Sequence, residues 1–292
     1  MYTQFFGNFL LNEKLITPDQ LVHAMSCMKN TTVKLGVLAI SAGLMTSEQV
    51  ESVHSRQTRE DKRFGDIAIE MGFLTKDQVG MLLDQQTSAY LILGQAIVDN
   101  RYMRHFDVER ALYAYNKKYS LSLIDIMNND TKINDTLINS LYDFSTYEHG
   151  QYYKDYITLL MNNFIRFIGS DFTPLKPEVY TGSPSYKFVS QNINGKINLS
   201  TCIFSSRDAL APFAFRYTEE DLSNYEEYII AAFQDFLNLH NGLFIVNMSN
   251  EHQIELSLTP PIVTSELDTA KEEYLVLPFQ FSFGTINFAI SI

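Results

Sequence analysis

The chain has 292 residues, 46% of them hydrophobic and 13% aromatic, which is enough length and apolar material for two hydrophobic cores. Its formal net charge of -12 argues against the broad basic surface that binds DNA or RNA, so we expect no nucleic-acid partner. There is no run of about 18 apolar residues, and we expect a cytoplasmic protein without membrane insertion.

The first third of the chain is organised by a repeat with a constant offset of 29 residues, whose copies begin at Phe5, Lys34, Arg63 and Ile92. The third position of every copy is glycine: Gly7, Gly36, Gly65 and Gly94. Four matches at one spacing are typical of a repeat architecture. We therefore predict an all-α domain over residues 1–118, built from four helical repeats.

Local signals place two helices in each of the best-preserved copies. Thr17, Thr46 and Thr75 each precede a glutamine by three residues, which predicts a capping box at the start of a helix. Gly43 and Gly72 stand just before two of these starts, where a helix that ends in a left-handed residue favours glycine. Each copy is thus predicted to be a helix, a glycine turn and a second helix.

Residues 119–150 are polar and turn-prone around a short apolar segment, and we interpret them as a helical linker. A second domain is predicted over residues 151–292. Helical periodicity covers Tyr156 to Ile168, and Tyr186 to Ser206 predicts two strands joined around Asn194 and Gly195. A long helix is predicted from Glu220 to about Phe244.

The final predicted elements are strands from Gln253 to Leu258, Tyr274 to Phe281 and Thr285 to Ile292, with a turn at Gly284. This order of elements predicts an α+β domain, with helices on one face of a mainly antiparallel sheet and one long helix. The two cysteines and six histidines show no metal-ligand spacing, so we expect no metal site and no intrinsic cofactor.

The middle two repeats, Lys34 to Gln57 and Arg63 to Gln86, resemble the tandem nucleotide-binding motif of the MshEN family, which binds cyclic di-GMP. Each begins with a cation, a large apolar residue and glycine, has a second glycine at position ten, and ends in glutamine. The resemblance implies cyclic di-GMP as a ligand, bound by Lys34, Leu35, Gly36, Gly43, Gln57, Arg63, Phe64, Gly65, Gly72 and Gln86. The competing interpretation is that the glycines are helix caps and that the two cations are ordinary surface charges.

The second domain resembles the CheX-like chemotaxis phosphatases, which carry Glu-x-x-Asn on a long helix. Here Asp235 and Asn238 stand at the matching positions, and Pro261 follows the asparagine by 23 residues, as it does in that family. The resemblance implies hydrolysis of an aspartyl phosphate on a response-regulator receiver domain. Asn238 would align the attacking water, Asp235 would pair with the receiver's lysine, and the receiver would bring its own magnesium ion.

We therefore predict a bacterial signal-transduction protein of two domains, with the catalytic residues Asp235 and Asn238. Its CheX-like domain would bind, and as a protein-aspartyl-phosphate phosphatase dephosphorylate, a phosphorylated receiver, under the control of cyclic di-GMP. The resemblance also implies a homodimer. The alternative is a non-catalytic adaptor that uses both domains for protein contacts, with Asp235 and Asn238 as an exposed polar stripe on an amphipathic helix.

Overall fold

The computed structural model of the chain describes residues 2–84, 89–120, 131–182, 187–265, 267 and 273–291. These residues form two compact units, Tyr2–Ile133 and Asn134–Ile292. The division between the units falls inside the stretch 119–150 that was predicted to be a linker, of which residues 121–130 lie outside the described residues.

The amino-terminal unit is built from helices throughout its described part. Its α-helices are α1 (Tyr2–Asn12), α2 (Pro18–Cys27), α3 (Leu35–Ser41), α4 (Ser47–Gln57), α5 (Phe64–Glu70), α6 (Lys76–Asp84), α7 (Ala89–Asp99) and α8 (His105–Lys118). A short 3-10 helix, Met28–Asn30, follows α2. Each 29-residue copy thus contributes one pair of helices, as predicted.

The predicted caps are confirmed. The Thr17 and Thr46 side chains accept hydrogen bonds from the backbone N–H of Gln20 and Gln49, whose side chains bond back to the threonine N–H groups. Thr75 makes the same reciprocal bonds with Gln78, at 2.8 and 3.2 Å. Gly43 and Gly72 have φ angles of 67° and 72°, so both end their helices in the left-handed conformation.

The repeated glycines at position three bring together the two helices of one repeat. A Cβ atom on Gly36 would lie 2.8 Å from Val50 Cγ1, and one on Gly94 would lie 3.2 Å from Val108 Cγ1. Gly65 faces Val79 in the same way, at 3.2 Å. The glycine is therefore required by close helix packing, which repeats with the same offset as the sequence.

The carboxy-terminal unit combines an antiparallel sheet with helices. Its helices are α9 (Thr131–Leu141), which begins just before the division between the units, α10 (Gly150–Asn163), α11 (Arg207–Thr218) and α12 (Glu226–His252), and a π-helical turn, Phe164–Ile168, extends α10. Its strands are β1 (Phe172–Pro174), β2 (Glu178–Val179), β3 (Phe188–Gly195), β4 (Leu199–Ser205), β5 (Leu256–Leu258), β6 (Ile262–Thr264), β7 (Tyr274–Phe281) and β8 (Gly284–Ser291).

The strands lie in the order β1-β7-β8-β4-β3-β5, with β2 also paired to β7 and β6 to β3, and every pairing is antiparallel. The prediction of an α+β unit with an antiparallel sheet and a long helix is confirmed for this unit. One sheet face packs on the helices through a core centred on Phe164. The ring of Phe164 lies within 5.7 Å of Phe236 of α12 and of Phe279 and Phe288 of the sheet.

Several predicted boundaries in this unit are wrong. The long helix begins at Glu226 rather than Glu220 and ends at His252 rather than near Phe244. α11 was not predicted, and Pro212 lies inside it. The two strands predicted to join around Asn194 and Gly195 are present as β3 and β4, but their turn follows Gly195, which still pairs with Leu256 of β5. Tyr186 lies outside the described residues.

Among the described residues, α12 alone is long and apolar enough to cross a membrane by length and composition. Its apolar character has another explanation in this fold. Nine of its residues are buried in the unit, including Phe233, Phe236 and Phe244. Packing of α12 onto the sheet therefore accounts for its composition.

Candidate functional site

The candidate site is a strip of small and polar side chains along the exposed side of α12. Ala231, Asp235 and Asn238 are exposed, whereas Phe233 and Phe236 between them are buried. Residues three and four apart on a helix lie on one face, so the carboxylate and the carboxamide project side by side. Gly242 continues the strip, and a Cβ atom added there would meet nothing within 4 Å. The strip is thus open to an approaching partner.

The Asp235 carboxylate is held by a residue of α11. The Tyr217 hydroxyl donates a hydrogen bond of 2.6 Å to Asp235 Oδ2. Burial and the neighbouring carboxylate both raise the pKa of Tyr217, so the phenol stays protonated and keeps donating. The other oxygen, Oδ1, has no partner among the described residues and is available to an incoming cation.

The Asn238 carboxamide is held from the sheet. Gln191 Nε2, on β3, donates a hydrogen bond of 2.7 Å to Asn238 Oδ1. The same nitrogen donates to the backbone carbonyl of Thr259 at 2.8 Å. Both N–H groups of Gln191 are therefore used, one on the candidate catalytic residue and one on the loop after β5.

Behind this contact lies a buried polar chain. Gln191 Oε1 accepts a hydrogen bond of 2.8 Å from Asn241 Nδ2, which also donates to Thr201 Oγ1 at 2.8 Å. The Tyr156 hydroxyl of α10 donates to Asn241 Oδ1 at 2.9 Å. These hydrogen bonds thus join α10, α12 and the neighbouring strands β3 and β4.

The backbone carbonyl of Thr259 fixes the orientation of the three side-chain amides in this hydrogen-bonded network, those of Gln191, Asn241 and Asn238. The Thr259 oxygen can only accept, so the Gln191 atom facing it is nitrogen. Gln191 Oε1 must then face Asn241 Nδ2, which leaves Asn241 Oδ1 to accept from Tyr156. Since Gln191 presents nitrogen to Asn238 as well, Asn238 turns its oxygen inward and its Nδ2 towards solvent.

The loop between β5 and β6 forms one border of the strip. Gln234 Nε2 of α12 donates to the backbone carbonyl of Pro261 at 3.2 Å. Thr259, two residues earlier, accepts from Gln191 as described. The proline singled out in the sequence therefore lies beside the helix turn that carries Asp235 and Asn238.

The sequence patterns did not single out Gln191 or Tyr217. A signal existed for Gln191, because it occupies the inward position between Val189 and Ile193, where alternation predicts an apolar side chain. Tyr217 belongs to a helix that was not predicted.

Lys34, from the residues predicted to bind cyclic di-GMP, is engaged within the amino-terminal unit. Its Nζ lies 2.8 Å from Asp99 Oδ1 of α7, and its backbone N–H donates to Gln95 Oε1 at 3.2 Å. The lysine therefore ties the start of α3 to α7.

The starts of α3 and α5 pack against each other reciprocally. Leu35 Cδ2 lies 3.1 Å from the position of a Cβ atom on Gly65, and the Phe64 ring lies 3.2 Å from the same position on Gly36. The equivalent residues of the two motifs are thus brought together. Gly43 and Gly72 instead cap the far ends of their helices.

The remaining predicted ligand residues have separate surroundings. Gln57 Nε2 donates to the backbone carbonyl of Lys62 at 3.2 Å. Arg63 precedes α5, and its guanidinium has no hydrogen-bond or ion-pair partner among the described residues. Gln86 lies outside them.

Within the described part of the chain, no cluster of three or more His, Cys, Asp or Glu residues could hold a metal ion. His240 is fully buried beside the candidate site's helix face, and burial lowers its pKa to about 3, so its imidazole is neutral. Asn163 Nδ2 lies 3.0 Å from His240 Nδ1. This histidine belongs to the core.

No protein-family model and no curated protein matches the chain. Solved structures similar to 48% of the chain include the chemotaxis protein CheX from Desulfovibrio desulfuricans, with 15% identity, a TM-score of 0.41 and 97% of that chain covered. CheX from Vibrio vulnificus gives 14% identity, a TM-score of 0.42 and 98% coverage of its chain. A crystal structure of a CheX–CheY–BeF3–Mg complex from Borrelia burgdorferi is also similar, with 16% identity, a TM-score of 0.41 and 96% of the matched chain covered.

Proposed function

We propose that the carboxy-terminal unit docks on a phosphorylated response-regulator receiver and hydrolyses its aspartyl phosphate. The observation that carries the proposal is the pair of exposed groups one helical turn apart, Asp235 and Asn238, each fixed by a residue from another element. The receiver as partner comes from the resemblance of the Asp-x-x-Asn pair and Pro261 to the CheX-like phosphatases.

In this reaction the protein needs only to position the attacking water and the receiver, and it forms no covalent intermediate. Water attacks phosphorus, the bond between phosphorus and the receiver's carboxylate oxygen breaks, and inorganic phosphate leaves with both hydrogens of the water, while the receiver's carboxylate is restored. Asn238 Nδ2 points outward and can donate to that water or to a phosphoryl oxygen. Asp235 Oδ1 pairs with the receiver's lysine and sets the docking register, while the magnesium ion comes with the receiver.

The test measures loss of label from radiolabelled receiver domains of the same genome, mixed with the intact chain. Asn238→Ala removes the donor, and we expect a fall in rate of about 100-fold or more. Asn250→Ala is the matched control, because it is an exposed asparagine further along α12. An unchanged rate in Asn238→Ala would exclude this assignment of the site.

The same protein sample distinguishes a non-catalytic adaptor from a phosphatase, when receiver binding and receiver dephosphorylation are measured separately. Binding of a beryllofluoride-activated receiver without any acceleration of dephosphorylation would support the adaptor and reject the phosphatase. Light scattering on the same sample tests the predicted homodimer.

Control by cyclic di-GMP through the amino-terminal unit is part of the proposal. It is supported by the guanidinium of Arg63, which has no partner among the described residues and lies beside the paired starts of α3 and α5, since an arginine fork suits phosphate or guanine acceptors. Calorimetric titration of cyclic di-GMP should give binding that Arg63→Ala abolishes, with Arg59→Ala as control. Binding that persists in Arg63→Ala would place the ligand elsewhere.

A further inference from the structure

Gln191 is a polar residue buried at a position of β3 whose neighbours on the same face of the strand are apolar. It is 1% exposed and lies directly opposite Thr201 of β4, and its neighbours on the same face of β3, Val189 and Ile193, are buried and apolar. Burial of a primary amide is costly unless its polar atoms are bonded. Here both N–H groups donate and the oxygen accepts, so Gln191 cannot turn over without losing bonds.

The fixed amide restrains Asn238, which is exposed and would otherwise turn freely. The terminal torsion of asparagine is broad and roughly two-fold, so a free carboxamide can present either oxygen or nitrogen to a partner. The bond of 2.7 Å from Gln191 Nε2 selects the orientation with Nδ2 outward. Gln191, on strand β3, thus determines that Asn238 presents a hydrogen-bond donor and not an acceptor to a partner.

We propose that Gln191 is a positioning residue for Asn238: it holds the Asn238 carboxamide with its N–H2 group facing the receiver's phosphoryl group. This inference rests on the proposed phosphatase function. Gln191 itself does not touch the receiver, because it is buried beneath α12. Its loss therefore lowers the rate of the chemical step and leaves docking unchanged.

The first test replaces Gln191 by methionine, which has similar length and no N–H donor. We expect kcat for receiver dephosphorylation to fall about tenfold, which corresponds to the loss of about one hydrogen bond, with KM for the receiver unchanged. Asn192→Ala is the matched control, because Asn192 is the next residue of β3 and its side chain is exposed on the opposite face. A KM effect of the same size, or an unchanged kcat, would overturn the proposal.

A double-mutant cycle separates positioning from a general loss of structure. If Gln191 acts through Asn238, then Gln191→Met should cause no further loss of rate in the Asn238→Ala background. Additive losses would overturn the proposal. Gln191→Leu, which also lacks an N–H donor, serves if the methionine variant does not fold.

The orientation can also be measured without any receiver. The side-chain amide of Asn238 is assigned from the signal lost in Asn238→Ala, and its nitrogen order parameter reports motion on the picosecond to nanosecond timescale. We expect a high order parameter in the unchanged protein and a low one in Gln191→Met. Equal values would overturn the inference even if the phosphatase is active, whereas a drop without any dephosphorylation would reject only the phosphatase.

Discussion

The two units of this chain differ in what the residues singled out in the sequence do in the structure. In the amino-terminal unit, residues that repeat in the sequence serve packing and capping: Gly36 receives Val50, Thr46 caps α4, and Lys34 pairs with Asp99. In the carboxy-terminal unit, the two exposed groups of interest are held by side chains from other elements, Tyr217 and Gln191.

The difference shows what a repeated motif can and cannot indicate. A pattern that returns every 29 residues is produced by any interface that is itself repeated, whether or not a ligand binds. An exposed carboxamide held by a fully bonded buried amide has no such general cause, because burial of polar groups is costly. We therefore expect pH to affect the two units differently. Within the amino-terminal unit, we expect glycine substitutions to distinguish a glycine required by packing from an exposed one.

The largest expected effect concerns the buried His240. Its pKa of about 3 in the folded state lies below the ordinary value of 6.5, so between these values the unfolded state binds the proton and the folded state does not. The contribution of His240 to the free energy of unfolding is therefore fully present above pH 6.5. Between pH 6.5 and about 3 the free energy of unfolding falls by about 1.4 kcal/mol for each pH unit of acidification. His240→Asn, whose carboxamide oxygen takes the place of Nδ1 and can still accept from Asn163, should remove this slope.

Native-state hydrogen exchange of the α12 amides between pH 4 and 7 measures this effect, with the α3 amides as the internal reference. If the protection of the α12 amides depended on pH equally in the unchanged protein and in the His240 variant, His240 would not be the titrating group. An equally steep slope in α3 would remove the contrast between the units.

The second comparison uses two helical glycines of the amino-terminal unit. A Cβ atom on Gly36 would lie 2.8 Å from the stiff side chain of Val50, whereas one on the exposed Gly80 of α6 would meet nothing within 4 Å. Gly36→Ala should cost about 1–3 kcal/mol through overpacking. Gly80→Ala should stabilise α6 by about 1 kcal/mol.

Urea unfolding of the two variants gives these differences as shifts of the midpoint in opposite directions. If Gly36→Ala were as stable as the unchanged protein, close packing would not explain the repeated glycine, and a role in ligand binding would gain support.

The smallest effect tests the division of labour within the candidate site. Tyr217→Phe removes the hydrogen bond to Asp235 Oδ2 but keeps a ring beside Phe236, whose centroid lies 5.4 Å away. Because Asp235 is assigned to docking, KM for the receiver should rise about fivefold, equivalent to about 1 kcal/mol, with kcat unchanged. A fall in kcat instead would mean that Asp235 takes part in the chemical step.

Much of the architecture could be predicted because its causes are local. Thr46 and Gln49 are three residues apart, and the turn at Gly43 needs only a residue that adopts a positive φ angle. The hairpin of β7 and β8 was likewise predicted from adjacent alternating segments. The exposed strip of α12 followed from helical periodicity, although the bounds of that helix did not.

The sequence alone determined the helical repeats, the α+β character of the second unit and the common face of Asp235 and Asn238, because these depend on spacings of a few residues. The tertiary structure decided what each side chain meets. Lys34 and Asp99 are 65 residues apart, and Gln191 and Asn238 are 47 apart. No periodicity relates such positions, so their contacts depend on how the helices and strands pack.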